Sequence, residues 1–234
     1  TQALITAITA PTGAGRLYEV DMRLRPSGKQ GPVATALSSF DAYQRTEAWV
    51  WEHLALTRAR VTVGAPELVQ TLETTRSEVL AQSRFGANDV AAALVEMRAR
   101  FIAAGRVGHA SATKSGPGRM QEIELIGQAN ALIAGRPVRS TSGQLAVRGG
   151  FCDTEDQAEL ARIYAQLSEY QQALRLLTAD DPDPETLGIG GQSFLLTRTG
   201  HKALTDLKTS LHDAPARADR IITKMLAKSC VQDT

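Results

Sequence analysis

Apolar residues recur at helical spacing along most of the chain. Ala3, Leu4, Ile5, Ala7 and Ile8 open it in this rhythm, with no room before them for a capping residue. From Ser38 the pattern is helical again. Ser38 or Ser39 can cap a helix through Phe40, Tyr43 and Glu47, and the run Trp49, Trp51, Leu54, Leu56 continues it or starts a second. Pro66 suits the first turn of a helix to about Ser83. Asn88 or Asp89 opens the next, with Val90, Leu94, Met97 and Phe101 on one face and Gly105 as its end. A glycine-rich loop to Gly118 leads into a helix over 120–134 carrying Ile123, Ile126, Leu132 and Ile133. Asp153 or Thr154 caps a long helix to Thr178, whose face is Leu160, Ile163, Tyr164, Leu167, Tyr170, Leu174 and Leu177. After the breaker segment 180–191, helices are expected over 193–198, 201–211 and 214–228.

One segment alternates with period two instead. In residues 17–25, Tyr18, Val20, Met22 and Leu24 interleave with Glu19, Asp21, Arg23 and Arg25. Gly13 and Gly15 precede it, and Pro26-Ser27-Gly28 stops it, so it reads as a strand. A lone strand is not a stable sheet, and few segments here could pair with it. That, together with the abrupt start, makes the chain read as a piece of something longer.

Composition changes this picture little. The 234 residues bear 26 Lys+Arg against 25 Asp+Glu, a net +1, which argues against a protein that coats nucleic acid. No apolar run approaches a membrane span, and no signal peptide is visible, so a soluble, cytoplasmic protein with no nucleic-acid or membrane partner is expected. Cys152 and Cys230 fit neither a disulfide framework nor a zinc pattern. The near-neutral total hides residues 151–186, whose net charge is -7. This stretch is either a solvated helix and turn or a face for a basic partner.

Three places could carry chemistry. The polar face of the strand is wholly ionic; carboxylates there could hold Mg2+ and arginines could brace phosphate, while paired charges on a half-solvated sheet are the simpler use. The junction from Lys114 to Glu124 brings a glycine loop to a helix N-terminus, a place that can receive an anion, although no Walker order is present. Glu122 and Glu124, two apart, point about 200° from each other on a helix and cannot simply share a metal. Acids in a first turn also suit the helix dipole. Glu52-His53 reads as a polar pair, since no Ser or Cys partner pattern accompanies it.

The motifs carry a resemblance. LYEVDMRLRPSGKQGP (17–32), followed by SSFDAYQRTEAWVWEHLALTRARVTVG (38–64), resembles the bacterial glutamine synthetase adenylyltransferases. A third motif of that family, K-x-x-x-G-G-[IL]-x-[DE]-I-E-F-x-x-Q, is met by Lys114, Gly118, Glu122, Ile123, Glu124 and Gln128. The resemblance covers most of residues 1–135, with three motifs in order.

That resemblance implies a mainly α fold: the remnant of a DNA polymerase beta-like nucleotidyltransferase sheet followed by an all-helical bundle domain. Residues 1–64 would be the C-terminal part of the nucleotidyltransferase domain and 65–234 the helical bundle. The implied chemistry is transfer of AMP from ATP to a tyrosine of glutamine synthetase, with Mg2+ as cofactor. Asp21 would be the third metal carboxylate, and Arg23, Arg25 and Lys114 would bind phosphate or nucleotide. Glu19, Glu122 and Glu124 belong to the motifs without a firm role. The C-terminal, adenylyl-transferring half is expected, the alternatives being the phosphorolytic half or an inactive docking module. Glutamine synthetase and a PII-type nitrogen signalling protein are the implied partners.

The sequence departs from the family in several ways. Arg119 stands for the second glycine, and Leu125 for the Phe. No G-[GS] followed by D-x-D precedes Asp21; the one D-x-D, Asp181-Pro182-Asp183, lies downstream in the breaker segment. This chain alone is therefore expected to have negligible transferase activity.

Overall fold

In the computed structural model the described residues are 1–16, 18–21, 26, 28, 31–103 and 112–229. They form ten α-helices: α1 (Gln2–Thr9), α2 (Leu37–Thr46), α3 (Val50–Arg58), α4 (Pro66–Ala81), α5 (Ala87–Ala103), α6 (Met120–Ile133), α7 (Thr141–Leu145), α8 (Thr154–Leu177), α9 (Ile189–Thr199) and α10 (Leu204–Ser229). A short 3-10 turn, Pro184–Thr186, interrupts the segment read as a breaker.

The sheet remnant does not appear among the described residues. Only an isolated antiparallel bridge, Thr12 to Gly15, is formed there. Residues 18–21 are in no ladder, and Tyr18 and Val20 are 65% and 37% exposed. Alternation fixes a strand's two faces only when neighbouring strands take up its backbone hydrogen bonds. Among the described residues no strand pairs with it; the Tyr18 amide donates instead to Ile8 O of α1 at 3.3 Å. α1 has the helical pattern but no buried residue.

The helical body follows its apolar stripes. Leu54 of α3, Leu80 of α4, Leu94 of α5, Ile123 and Ile126 of α6, and Leu160, Ile163 and Leu167 of α8 meet in one core with Leu211 and Ile222 of α10. Each is under 5% exposed. α6 is central: it touches α3, α5, α7 and α8. The boundary expected at 64/65 falls in the extended link between α3 and α4, and α3 itself packs on α4, α5 and α6.

Polar side chains tie the helix ends. Arg76 of α4 is 5% exposed; its guanidinium donates to the carbonyls of Leu56 (2.9 Å), Thr57 and Pro137 (3.1 Å). It thus satisfies the C-terminal carbonyls of α3. Asn130 of α6 is fully buried and donates to the Gln144 and Val147 carbonyls at 2.7 and 2.8 Å, while its Oδ1 accepts from the Phe151 amide at 2.8 Å. An asparagine inside a helix reads as a weak helix former, so sequence alone gives no sign of this role.

The structure decides one open alternative and departs from one expectation. The run after Trp49 starts a new helix, α3, in which the Glu52 carboxylate accepts from the Trp49 amide at 2.9 Å. The last two expected helices are one, α10, with Pro215 inside it. A proline removes a single helical hydrogen bond, and the buried face formed by Leu211, Ala214, Ala218 and Ile222 carries the helix through.

Candidate functional site

The charged residues of the strand motif lie at the surface. Glu19 is exposed and 3.8 Å from Arg16. Asp21 is exposed as well. Arg23 and Arg25 lie outside the described residues. Among the described residues, no three His, Cys, Asp or Glu side chains converge as metal ligands. These residues therefore do not by themselves fit the two-metal site that the resemblance implies.

The loop before α6 folds back on the helix it enters. The Met120 amide donates to Thr113 O at 3.0 Å and the Gln121 amide to Lys114 O at 3.1 Å. The Arg119 amide donates to Gly116 O at 3.2 Å and the Glu122 amide to Arg119 O at 3.0 Å, so all four N-terminal donors are satisfied by the backbone, which leaves little for an anion. The Lys114 side chain is exposed.

Glu122 is turned inward. Its Oε2 accepts from the Gly118 amide at 2.6 Å, and its Oε1 pairs with Arg98 of α5 at 2.6 Å. Arg98 also pairs with Asp219 and reaches Thr223 Oγ1 at 3.3 Å, both on α10. Burial raises the Glu122 carboxyl above the usual carboxylate range, against the opposing pull of the Gly118 amide and Arg98. Gly118 has φ +66, and a Cβ there would lie 1.9 Å from Pro215 O. So Glu122 braces the loop, α5 and α10 together.

Glu124 points elsewhere, as the two-residue spacing predicts. It accepts from Tyr164 Oη of α8 at 2.8 Å and pairs with Arg58 of α3 at 3.1 Å. Arg119, in the place of a glycine, folds its side chain back over the loop and donates to Ser115 O at 3.0 Å. Burial lowers the affinity of its guanidinium for the proton, and the charge of Asp181 opposes this. The D-x-D segment is thereby drawn into internal pairing, since Asp183 also lies 3.6 Å from Lys208.

Glu52 and His53 turn to different partners. Tyr43 Oη lies 3.0 Å from both Glu52 oxygens. His53 Nε2 donates to Gln44 O at 2.9 Å, which leaves Nδ1 to accept from Ser83 Oγ at 3.3 Å. Burial lowers the His53 pKa below its ordinary value, which favours the neutral ring. The acids of 151–186 are largely engaged inside the molecule: Asp156 lies 3.8 Å from Lys224, Glu159 3.1 Å from Arg217 and Glu185 2.9 Å from Lys208.

A cleft of about 500 Å³ opens among α3, α5 and α6. Trp51 and Arg58 of α3, Met97 and Arg100 of α5, and Leu125 and Gln128 of α6 line it. A smaller hollow of about 340 Å³, reached by Pro26, Phe40 and Glu52, shares Arg58 with it. The sequence signal was the spacing of Trp51, Ala55 and Arg58, one stripe of a helix, which core patterning alone does not single out.

The described residues define a helical segment with exposed acidic residues, Glu19 and Asp21, ahead of its packed body. Residues 1–75 match the glutamate-ammonia ligase adenylyltransferase family. The chain is 35% identical, over 97% of its length, to a bifunctional glutamine synthetase adenylyltransferase/adenylyl-removing enzyme of Rhizobium meliloti (strain 1021). It is 43% identical over 97% of its length to an enzyme of the same description in Rhodopseudomonas palustris (strain HaA2). In Agrobacterium fabrum (strain C58 / ATCC 33970) the identity reaches 56% over 84 residues, 36% of this chain and 8% of that one. The chain spans about a quarter of the length of the curated relatives it matches, 24% and 23% for the first two. Over that quarter it is homologous to these enzymes. Among the described residues no helix is long and apolar enough to cross a membrane.

Proposed function

We propose that this chain is a segment of an enzyme that moves AMP onto, or off, a tyrosine of glutamine synthetase. The observation that supports it is the match over 97% of the chain to enzymes of that description, with the Asp21 motif inside the matched span. On this reading Asp21 supplies one carboxylate of a divalent-cation site whose other ligands lie outside this chain. Glu122 and Glu124 position rather than react, because both are held by arginines within the helical body. ATP is the donor and glutamine synthetase the acceptor, and a PII-type protein is the regulator we assign.

The test has two arms. The purified chain with Mg2+, ATP and glutamine synthetase should show negligible AMP incorporation. In the parent polypeptide Asp21→Asn should lower the activity of the half that contains it by at least about a hundredfold, as loss of a metal carboxylate does. Full activity of that variant would overturn the assignment of Asp21. The parent sequence decides between the halves: a second copy of the strand motif downstream places this segment in the adenylyl-removing half, and its absence in the adenylyl-transferring half, which is the one we favour.

A further inference from the structure

Gln128 closes the third sequence motif, yet it takes no part in the bracing network around Glu122. It is 8% exposed, and among the described residues its amide makes no hydrogen bond. A buried amide without a partner is costly. Among the described residues the side-chain atoms that are both sealed from solvent and unpaired belong to Gln44, Gln144 and Tyr170, so the small exposure of the Gln128 amide opens into the cleft it lines. Much of the lining beside it is apolar. Trp51 is 38% exposed, and Met97 and Leu125 line the cleft with it. Arg58 and Arg100 are the charged groups of the lining, with side chains 41% and 75% exposed, and each already has one carboxylate neighbour, Glu124 and Glu96.

We infer that the cleft binds a purine nucleotide, adenine in preference to guanine, with Gln128 reading the edge of the base. An indole and apolar side chains favour the face of a base. An amide offers one donor and one acceptor side by side, which matches the N7 acceptor and N6 amino donor of adenine. Guanine presents two acceptors on that edge, so the Gln128 oxygen stays unpaired. The remaining guanidinium donors of Arg58 and Arg100 suit a phosphate. A volume near 500 Å³ is within the range for a ligand of this size. The inference deepens the AMP-transfer reading and rests on it for the choice of a nucleotide over other flat heteroaromatic anions.

Calorimetric titration of the whole chain with AMP and with GMP, without divalent metal, tests it. AMP should bind at least fivefold more tightly than GMP. Gln128→Leu should weaken AMP about tenfold and bring the AMP-to-GMP ratio to about one, with an unchanged helical circular dichroism spectrum. Trp51→Leu should weaken both nucleotides alike. No AMP binding, or a base preference that survives Gln128→Leu, overturns the inference. A parent enzyme that transfers AMP while this chain binds none overturns the cleft alone. A chain that binds AMP as described, in a parent with no adenylyl-transfer or adenylyl-removing activity, overturns the reading on which it rests and leaves the cleft standing as a nucleotide site.

Discussion

At Gly118 the loop before α6 comes into contact with α10. A Cβ there would lie 1.9 Å from Pro215 O and 2.7 Å from Asp219 N, at a φ of +66. Gly118→Ala should therefore cost more than about 3 kcal/mol, combining left-handed strain with a backbone clash. A fall in the urea midpoint at constant m-value is the readout. His53 gives a second expectation, and its sign follows from burial. Its folded pKa lies below the ordinary 6.5, so the unfolded chain binds the proton more readily. Stability is full above that value and is lost as pH falls below it and on through the folded pKa. In His53→Gln this part of the acid slope should vanish, as read from urea unfolding between about pH 7 and 5. These two residues also show what sequence could reveal. The glycine of the third motif was visible in its motif, but its contact with residues almost a hundred positions later was not. The histidine looked like one half of a Glu-His pair, and the fold instead sends Glu52 to a helix start and His53 to Gln44 and Ser83.

The elements were legible in proportion to how much of their own stability they carry. α8 was read from its stripe and from Asp153, whose carboxylate accepts from the Asp156 amide at 2.9 Å. Asp153→Ala should cost about 1 kcal/mol, measurable as a lower thermal or urea midpoint. α7 is five residues long and shows too little periodicity to be seen; it is fixed by Ser140 at its start and by Gln144, which donates to Thr57 Oγ1 at 2.9 Å. The period-two segment failed in the opposite way. Its pattern is strong, but a strand is stabilised by neighbouring strands, and the described residues supply none beside it. A helix closes its own hydrogen bonds, which is why α1 forms even with no residue buried. The candidate site divides along the same line. Glu122 and Glu124 were found with their opposite directions, because helix geometry fixes that locally. The cleft beside Gln128 was not, because it exists only where three helices from separate parts of the chain converge.

For the molecule as a whole, Arg98 holds distant parts together. It joins α5 to Glu122 on α6 and to Asp219 on α10, with side-chain exposures of 18%, 9% and 38% for the three groups. Removing one partner of a buried pair leaves the other charge uncompensated, so Arg98→Met should cost about 3–5 kcal/mol near neutral pH. That cost should depend on pH in a defined direction. The folded Glu122 carboxyl already holds its proton more tightly than the ordinary 4.5, because of burial. In the wild type the cost of ionising the buried carboxyl is absent below that value, where stability is full, and stability declines as pH rises from it through the folded pKa. Arg98 limits the decline by attracting the carboxylate. Without Arg98 the Glu122 pKa rises further and the decline is deeper. The difference between the two proteins should thus be smallest in acid, where both carry a neutral Glu122, and largest near pH 7. Adding Glu122→Gln to Arg98→Met should remove most of the extra slope, and the coupling between the two changes follows from the double-mutant cycle. A loss that stays the same at every pH, or a slope untouched by Glu122→Gln, would show that Arg98 acts through packing of its stem alone and not through the buried carboxylate.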